Sequence, residues 1–288
     1  MIVVAGGTGV LGREVVARLV AAGQAVRVLT RDAARARQVL GDGVELAVGD
    51  VRARGSVTAA VNGASVVVSA VHGFLGGRGA GPAEIDVRGN ATIATAAATA
   101  GADVVLLSVL GASASSPMEL FRAKYAAEQQ LRSAGAGWTI VRPAAYLETW
   151  IAIMRDTARK SGRPLVFGKG EQPMAFVSAL DVAAVVADAA TDPTMRGQVI
   201  EVAGARLTMC ELAAAVQRAD GRTTAPRHIP RGMLQLTGLL AGPISPSFAR
   251  QNRAALVMDT TDLATHAESG QLSVPASRTL SAVLAGTG

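Results

Sequence analysis

The sequence has few aromatic residues and only one cysteine, and both shortages narrow the classes of protein to which it can belong. Aromatic residues make up 3% of the 288 residues, so the core must consist mainly of Ala, Val and Leu, a composition that suits helices covering a parallel sheet. Cys210 is the only cysteine, which excludes an intrachain disulfide and a cysteine-based metal cluster. No cluster of His, Asp and Glu has metal-ligand spacing, so we predict no metal site.

Long apolar runs are also missing, although half of the residues are hydrophobic. Gly, Asp, Arg or Ser interrupts each candidate before it reaches the roughly 18 residues of a membrane-spanning helix. The chain begins directly with a short apolar run, without the charged segment and cleavage pattern of a signal peptide. We therefore expect a cytoplasmic protein that does not cross a membrane.

Lysine is scarce, although the formal net charge is +6: the 28 basic residues comprise 25 arginines and three lysines. The arginines are spread along the chain and do not alternate with aromatic residues, as they do in proteins that bind single-stranded nucleic acid. The sequence therefore predicts no nucleic-acid partner, whereas a surplus of arginine suits a polyanionic cofactor. We expect a small-molecule substrate, and the sequence leaves the oligomeric state open.

Short β-branched runs alternate with longer Ala-rich amphipathic stretches, the pattern of βαβ units. This predicts an α/β fold in which residues 1–143 form a doubly wound parallel Rossmann sheet. Residues 144–288 are expected to form a smaller, mixed α/β substrate lobe that returns strands to the sheet. Within this lobe, residues 225–288, with their Pro/Gly-rich segment and the apolar segment 233–240, are expected to line the pocket. The predicted strands of the first domain are 2–5, 25–29, 44–48, 66–70, 103–108 and 138–141. The predicted helices between and after them are 10–22, 33–40, 57–62, 83–100 and 117–135.

A glycine-rich turn joins the first predicted strand to the first predicted helix. Gly6, Gly9 and Gly12 stand at the spacing at which a chain turns sharply, approaches a pyrophosphate and packs a helix against a strand. The helix that follows presents free N–H groups and a positive dipole end to phosphates. We therefore predict a dinucleotide site here. Its residues are Gly6, Thr8, Gly9, Val10, Leu11, Gly12 and Arg13.

The end of the second strand bears on the choice between NADP and NAD. NAD sites usually place an acidic residue there to bind the ribose 2′-hydroxyl, whereas this chain has Arg31 followed by Asp32. A guanidinium suits the 2′-phosphate of NADP, and Arg13 could reach the same phosphate. NAD remains an alternative cofactor, because Asp32 could hold its ribose. Asp32 could instead cap the helix that begins at Ala33. We predict NADP(H) as the cofactor, with Arg31 as a phosphate ligand.

The chain resembles the NmrA-like type of atypical short-chain dehydrogenase/reductases. The segments that carry the resemblance are 6–13, 29–31, 49–51, 89–90, 124–128, 138–143 and 176–182. The resemblance implies that Asp50 and Val51 contact the adenine. It also implies that the segment Ala70–Gly73, with Ala70 and Val71, runs beside the nicotinamide ribose, and that the backbone after Pro143 holds the nicotinamide. Members of this family include quinone reductases, and others bind NADP as redox sensors without evident turnover.

Typical short-chain reductases use a Tyr-x-x-x-Lys helix, in which the tyrosine donates a proton and the lysine holds the ribose. Lys124 stands at the lysine position, but Leu120 occupies the tyrosine position. Tyr125 cannot simply replace that tyrosine, because one residue along a helix points about 100° away. The usual general acid is therefore missing. Glu128 is expected to pair with Lys124 at i,i+4.

Three residues near the predicted strand ends remain candidate proton donors beside Lys124 in the catalytic set: His72, Ser108 and Tyr146. His72 precedes a glycine-rich loop, 73–81, which is either a flap over the nicotinamide or a surface loop. Ser108 fits a donor or plain turn chemistry equally well. His228 and His266 lack any partner pattern and are interpreted as structural.

Three functions follow from these observations. The leading hypothesis is an NADPH-dependent oxidoreductase that transfers hydride to a small, electron-poor substrate such as a quinone. The alternative is a catalytically silent NADP(H)-binding redox sensor or regulator, which would change the behaviour of a protein partner. A third hypothesis, an isomerase or epimerase, is weakened most by Leu120, because such enzymes oxidise an alcohol and need a base at that position.

Overall fold

The computed structural model describes residues 1–263 and 272–287. The strands, in chain order, are β1 (Ile2–Ala5), β2 (Val26–Thr30), β3 (Glu45–Val48), β4 (Val66–Ser69), β5 (Asp103–Leu107), β6 (Trp138–Pro143), β7 (Ala145–Tyr146), β8 (Leu165–Phe167), β9 (Pro173–Val177), β10 (Val199–Ala203), β11 (Arg206–Thr208), β12 (Arg227–Ile229) and β13 (Leu272–Pro275). Eight of them form one parallel sheet in the order β13-β10-β6-β5-β4-β1-β2-β3. The strand order reverses at β1, so the predicted doubly wound Rossmann fold is confirmed.

Helices cover both faces of this sheet. In chain order, the α-helices of the described residues, including those that do not cover the sheet, are α1 (Val10–Ala21), α2 (Ala33–Leu40), α3 (Arg54–Val61), α4 (Asn90–Ala100), α5 (Glu119–Ser133), α6 (Leu147–Ser161), α7 (Ala179–Thr191), α8 (Met209–Ala219), α9 (Arg231–Ala241), α10 (Pro246–Thr260) and α11 (Leu280–Gly286). Because the inner strands are sandwiched between helices, β1 and β4 are buried at every residue. Val4 and Val68 contribute to the core on one face, and Val3 and Val67 to the core on the other.

The predicted helix 83–100 is wrong in one respect. A π-helical turn, Ala83–Gly89, precedes α4, and wide turns of this kind are frequent at functional sites. It leaves Asp86 without solvent exposure in the interior. Gly89 packs so tightly that a Cβ atom there would lie 2.9 Å from Cγ2 of Val51.

The chain after Pro143 both extends the sheet and builds a second core. β10 pairs with β6, and β13 pairs with β10, at one edge of the sheet. The remaining strands form small sheets in the orders β11-β9-β7 and β12-β8. A separate apolar cluster includes Leu147, Phe176 and Leu212. The domain boundary at residue 143 stays a prediction. No helix in the described part of the chain is long and apolar enough to cross a membrane.

Candidate cofactor and substrate site

The turn between β1 and α1 requires glycine at two positions. Gly6 has φ +86°, in the left-handed region, and a Cβ there would lie 2.7 Å from the carbonyl oxygen of Ala70. A Cβ on Gly12 would lie 2.1 Å from the carbonyl oxygen of Gly6, which itself accepts a hydrogen bond of 3.1 Å from the Gly9 N–H. The turn therefore has the close backbone approach that a pyrophosphate cradle needs.

The N-terminus of α1 is exposed to solvent, and no negatively charged side chain of the described residues neutralises the positive end of its dipole. Gly9 and Val10 are exposed there, no side chain caps the helix, and its first turn carries no acidic residue. Thr8 is half-buried, whereas Leu11 packs into the core. Free N–H groups at a positive dipole end attract phosphate. The backbone of this turn thus fits the dinucleotide that the glycine spacing predicts.

At the end of β2, Arg31 is exposed and Asp32 caps α2. The Asp32 carboxylate accepts a hydrogen bond of 2.9 Å from the Arg35 N–H, which is the capping role that the sequence left open for it. Arg31 forms no salt bridge with a described residue, although its charge contributes to lowering the pKa of Asp50; its guanidinium is therefore available to a phosphate. Arg13 lies 3.2 Å from a carboxylate oxygen of Glu14, and an exposed pair of this kind is weak.

The two residues expected to contact the adenine, Asp50 and Val51, differ in their burial and contacts. Val51 is buried, whereas the carboxylate of Asp50 is bound by Arg52 at 2.6 Å and 2.9 Å. The Arg52 guanidinium holds the pKa of Asp50 down at about 2. A contact from Asp50 to adenine must therefore compete with Arg52, and the expected adenine contacts stay predictions.

Lys124 lies at the centre of a buried polar cluster. Its Nζ is 3.0 Å from Oδ1 of Asp86 and donates a hydrogen bond of 2.8 Å to the carbonyl of Val71. The other oxygen of Asp86 accepts a hydrogen bond of 2.7 Å from the Gly73 N–H. Asn90 adds a hydrogen bond of 2.7 Å to the Asp86 carbonyl. The lysine head group is thereby fixed against the backbone that follows β4.

Sequence reasoning missed Asp86 and the role of Asn90. The available signal was weak: Asp86 stands between the apolar residues Ile85 and Val87, but Glu84 and Arg88 flank them, so the segment also fits an exposed charged turn. Its partner could not be identified, since Lys124 stands 38 positions later on α5. The contact depends on how α5 packs against the π-helical turn.

The expected pair between Lys124 and Glu128 is wrong. Glu128 is fully buried and forms a fork with Arg142 of β6, with oxygen–nitrogen distances of 2.7 Å and 3.0 Å. The planar guanidinium supplies two parallel donors, which satisfies a buried carboxylate better than a single ammonium. Ser108 donates its hydroxyl hydrogen to Glu128. That hydrogen is thus engaged in the interior of the protein.

The other two candidate donors are uncharged at neutral pH. His72 follows Val71 and is accessible to solvent. Although the residue stays accessible at one side, the protein displaces part of the water around its ring. This desolvation, together with the charge of Lys124, lowers the pKa of His72 against the opposing effect of Asp86. Tyr146 is half-buried at the start of α6, and burial, reinforced by Glu148, raises its pKa. Both groups are therefore neutral at pH 7, and each can donate one hydrogen bond.

The loop 73–81 is held at both ends by arginines. Nη1 of Arg250, on α10, donates to the carbonyl oxygens of Gly73, Phe74 and Gly76 at 3.3, 2.6 and 3.2 Å. Arg52 donates a hydrogen bond of 2.7 Å to the carbonyl of Gly79. Any flap movement of this loop must break these bonds.

An open cleft lies between this loop, the N-terminal end of α5 and α10, with about 410 Å³ of empty space including its mouth. Phe74 and Leu120 contribute to its apolar wall. Leu120 stands one helical turn before Lys124, on the same face of α5, so the cleft adjoins the lysine cluster. Its remaining lining residues are Pro117, Met118, Glu119, Arg122, Arg250, Arg253, Ala254 and Val257.

The sequence predicts that residues 225–288 line the pocket; α10 of this segment lines the cleft, but the apolar segment 233–240 does not. Leu234 is buried, but Met233, Leu236, Leu239 and Leu240 are exposed on α9. The face of α10 lies against the cleft in their place. Of the two histidines interpreted as structural, His228 contacts the carbonyl of Gly168 at 2.8 Å, and His266 lies outside the described residues.

The chain matches known proteins along most of its length. It is 34% identical over 227 residues to an NAD(P)H azoreductase from Xenophilus azovorans, covering 77% of this chain and 74% of that one. It is 33% identical, with the same coverage, to a (4-alkanoyl-5-oxo-2,5-dihydrofuran-3-yl)methyl phosphate reductase from Streptomyces griseus.

Among solved structures, it is similar to an NADPH-dependent quinone oxidoreductase from Escherichia coli in complex with NADPH. The TM-score is 0.77 and the identity 20%, over 99% of each chain. At this identity the likeness concerns the fold. The model of the NmrA-like family matches residues 1–258. The chain therefore belongs to the NmrA-like family, as its motifs predict.

Proposed function

We propose that this protein is an oxidoreductase that transfers hydride from NADPH to a small, electron-poor conjugated acceptor such as a quinone. The observation that carries the proposal is the position of Lys124, fixed on Asp86 and the Val71 carbonyl beside the cleft. The relatives add support, because an azo bond, an unsaturated lactone and a quinone are all electron-poor conjugated groups.

The residues of this chain would hold the cofactor along one edge of the sheet. The turn at Gly6, Gly9 and Gly12 would receive the pyrophosphate, and Arg31 the 2′-phosphate. Lys124 would bind the nicotinamide ribose, and the backbone after Pro143 the nicotinamide. When bound, NADPH supplies the hydride.

Without a tyrosine at position 120, the proton of the reduced acceptor must come from another source. An electron-poor ring accepts hydride readily, and its oxygen or nitrogen can take a proton from water. Of the side chains considered, His72 is best placed to assist, because it is accessible and next to Val71, the residue that holds Lys124. Its neutral imidazole would donate a hydrogen bond to the reduced acceptor while water supplies the proton. Tyr146 is the second candidate, and Ser108 acts instead in positioning Glu128.

One observation favours a second function, a silent NADP(H) sensor: Leu120 leaves the usual general-acid position apolar. A sensor must bind NADP⁺ and NADPH with affinities that differ by at least ~1 kcal/mol, because equal affinities shift no population. A reductase carries no such requirement.

Oxidation of NADPH, followed by absorbance with a panel of quinones, enones, azo compounds and aldehydes, tests the proposal. We expect turnover with the electron-poor acceptors and a decrease of about tenfold or more in Lys124→Met, because the ribose loses its ligand. Lys169→Met, which changes an exposed lysine, serves as the matched control and should retain activity. Tight NADPH binding without turnover on any acceptor would favour the sensor.

Arg31→Asp should invert the cofactor preference. We expect the affinity for NADPH to fall by about 10- to 100-fold, because a charge-assisted phosphate contact is replaced by repulsion. NADH should bind more tightly than in the unmodified protein, since the new carboxylate can accept from the 2′-hydroxyl. Both dissociation constants are measurable from the fluorescence of the bound nicotinamide. Arg222→Asp, a change at another exposed arginine, controls for net charge, and unimproved NADH binding would remove Arg31 from the phosphate site.

The lowered pKa of His72 predicts a loss of stability in weak acid. Below its ordinary pKa of 6.5 the unfolded chain protonates His72 while the folded protein does not, so protonation favours unfolding as the pH falls. We expect the free energy of unfolding in urea to fall less steeply below pH 6.5 in His72→Gln than in the unmodified protein. Parallel pH profiles of the two proteins would show that His72 does not titrate differently on folding.

A further inference from the structure

The cleft beside Lys124 carries more positive charge than an apolar substrate requires. Three guanidinium groups line it, those of Arg122, Arg250 and Arg253, together with one carboxylate, that of Glu119. Arg253 and Arg250 are three residues apart on α10 and share a face of the helix with Val257. Two charged walls therefore flank the apolar surface.

Arg250 is the most deeply buried of these cations, with 7% of its surface exposed. Its Nη1 holds the carbonyls of the 73–81 loop, but its Nε is buried and has no hydrogen-bond partner. The nearest carboxylate oxygen of Glu119 lies 3.5 Å from that nitrogen. A buried donor without an acceptor is costly, so this end of the cleft favours a ligand that brings negative charge.

Arg122 and Arg253 have accessible guanidiniums. Both are exposed; Arg122 donates one hydrogen bond of 2.6 Å to the carbonyl of Ser116. Arg253 makes no ion pair with any residue of the described ranges. Glu119 can compensate only one of the three positive charges. The cleft thus retains a net positive potential with free donors at its rim.

We propose that the cleft selects acceptors that carry an anionic group, a carboxylate, sulfonate or phosphate, next to their conjugated ring system. The ring would lie against Phe74, Leu120 and Val257. The anion would accept hydrogen bonds from Arg253 and Arg122, and the buried charge of Arg250 would attract it to this end of the cleft. The assignment of this ligand as the acceptor rests on the proposed function, whereas its binding does not. The anionic group anchors the molecule and is not altered by the reaction.

Binding can be tested without turnover by calorimetry on the protein saturated with NADP⁺. The probes are naphthalene-2-sulfonate and 2-naphthol, which have the same ring system but differ in charge at pH 7. We expect the sulfonate to bind about tenfold more tightly, as a charge-assisted contact predicts, and this advantage to shrink with added salt. Equal affinities, or no measurable binding of the sulfonate, would overturn the proposal.

Arg253→Gln and Arg218→Gln form a matched pair of variants, because each removes one exposed arginine from a helix and lowers the net charge equally. Arg253→Gln should weaken sulfonate binding about five- to tenfold and change 2-naphthol binding less than twofold. Arg218 lies on α8, away from the cleft lining, so its variant should change neither. An equal loss in both variants would show a general charge effect and contradict the proposed site.

A kinetic comparison separates this inference from the proposed function. If the protein reduces 1,4-naphthoquinone-2-sulfonate, Arg253→Gln should raise its KM and leave the KM of unsubstituted 1,4-naphthoquinone within twofold. A charge-dependent binding preference without any turnover would contradict the oxidoreductase and retain the anion site. Turnover of both quinones without a preference that depends on Arg253 would support the oxidoreductase and contradict the anion site.

Discussion

In Gly12→Ala, we expect NADPH affinity to fall more than about 100-fold and the free energy of unfolding to fall by roughly 3 kcal/mol. The added Cβ would lie 2.1 Å from the carbonyl oxygen of Gly6, which is backbone and cannot rotate away. Either α1 moves away from the turn or the turn opens, and overpacking of this kind costs about 1–3 kcal/mol or more. A displaced phosphate cradle no longer positions the cofactor, and shifts of about 1 Å can cost about 100-fold.

Urea unfolding and NADPH fluorescence titration measure the two effects separately. Gly55→Ala is the matched control, because no atom lies within 4 Å of the Cβ position in α3. Alanine there should leave the affinity unchanged and the stability equal or slightly higher, as its helix propensity exceeds that of glycine. Unchanged NADPH affinity in Gly12→Ala would mean that the turn does not bind the cofactor.

The second large effect is expected in Asp86→Ala. This substitution leaves the ammonium of Lys124 buried without its carboxylate and deprives the Gly73 N–H of its acceptor. Removal of one partner of a buried ion pair costs about 3–5 kcal/mol. We expect a loss of that size in urea unfolding, together with weaker NADPH binding, because Lys124 is no longer fixed. Asp188→Ala, at an exposed position of α7, should change stability by less than about 0.5 kcal/mol.

A double-mutant cycle shows whether this loss comes from the unpaired charge. In Asp86→Ala/Lys124→Met the buried charge is gone, so we expect the double variant to be more stable than the sum of the two single losses predicts. Strictly additive losses would show that Asp86 and Lys124 contribute independently. The contact at 3.0 Å would then have little energetic weight.

The sequence predicted most of the Rossmann sheet, because buried parallel strands show as short β-branched runs that stand out from the Ala-rich helices. It did not predict α10. The inward face of that helix includes Arg250, Asn252 and Asp259, so its apolar periodicity is broken by buried polar residues. A pattern based on hydrophobicity cannot detect a helix whose buried side chains hold backbone carbonyls.

For the site, local spacing was informative and tertiary pairing was not. The glycine turn and Lys124 were predicted from short motifs in which every member is close in sequence. The partner of Lys124 was predicted wrongly, because the i,i+4 neighbour Glu128 was nearer in sequence than Asp86. The choice between them is made by Arg142, which reaches Glu128 from β6.

The hydrogen bonds from Arg250 to the 73–81 loop affect the order in which parts of the protein fold. Its bond to the Gly73 carbonyl joins residues 177 positions apart. During synthesis the strands and helices of the first half can pair while that arginine has not yet been added, since domains tend to fold from the N-terminus as they emerge. The loop beside Lys124 then takes its final shape only when α10 docks, so a nascent chain would acquire its cofactor turn well before its acceptor cleft.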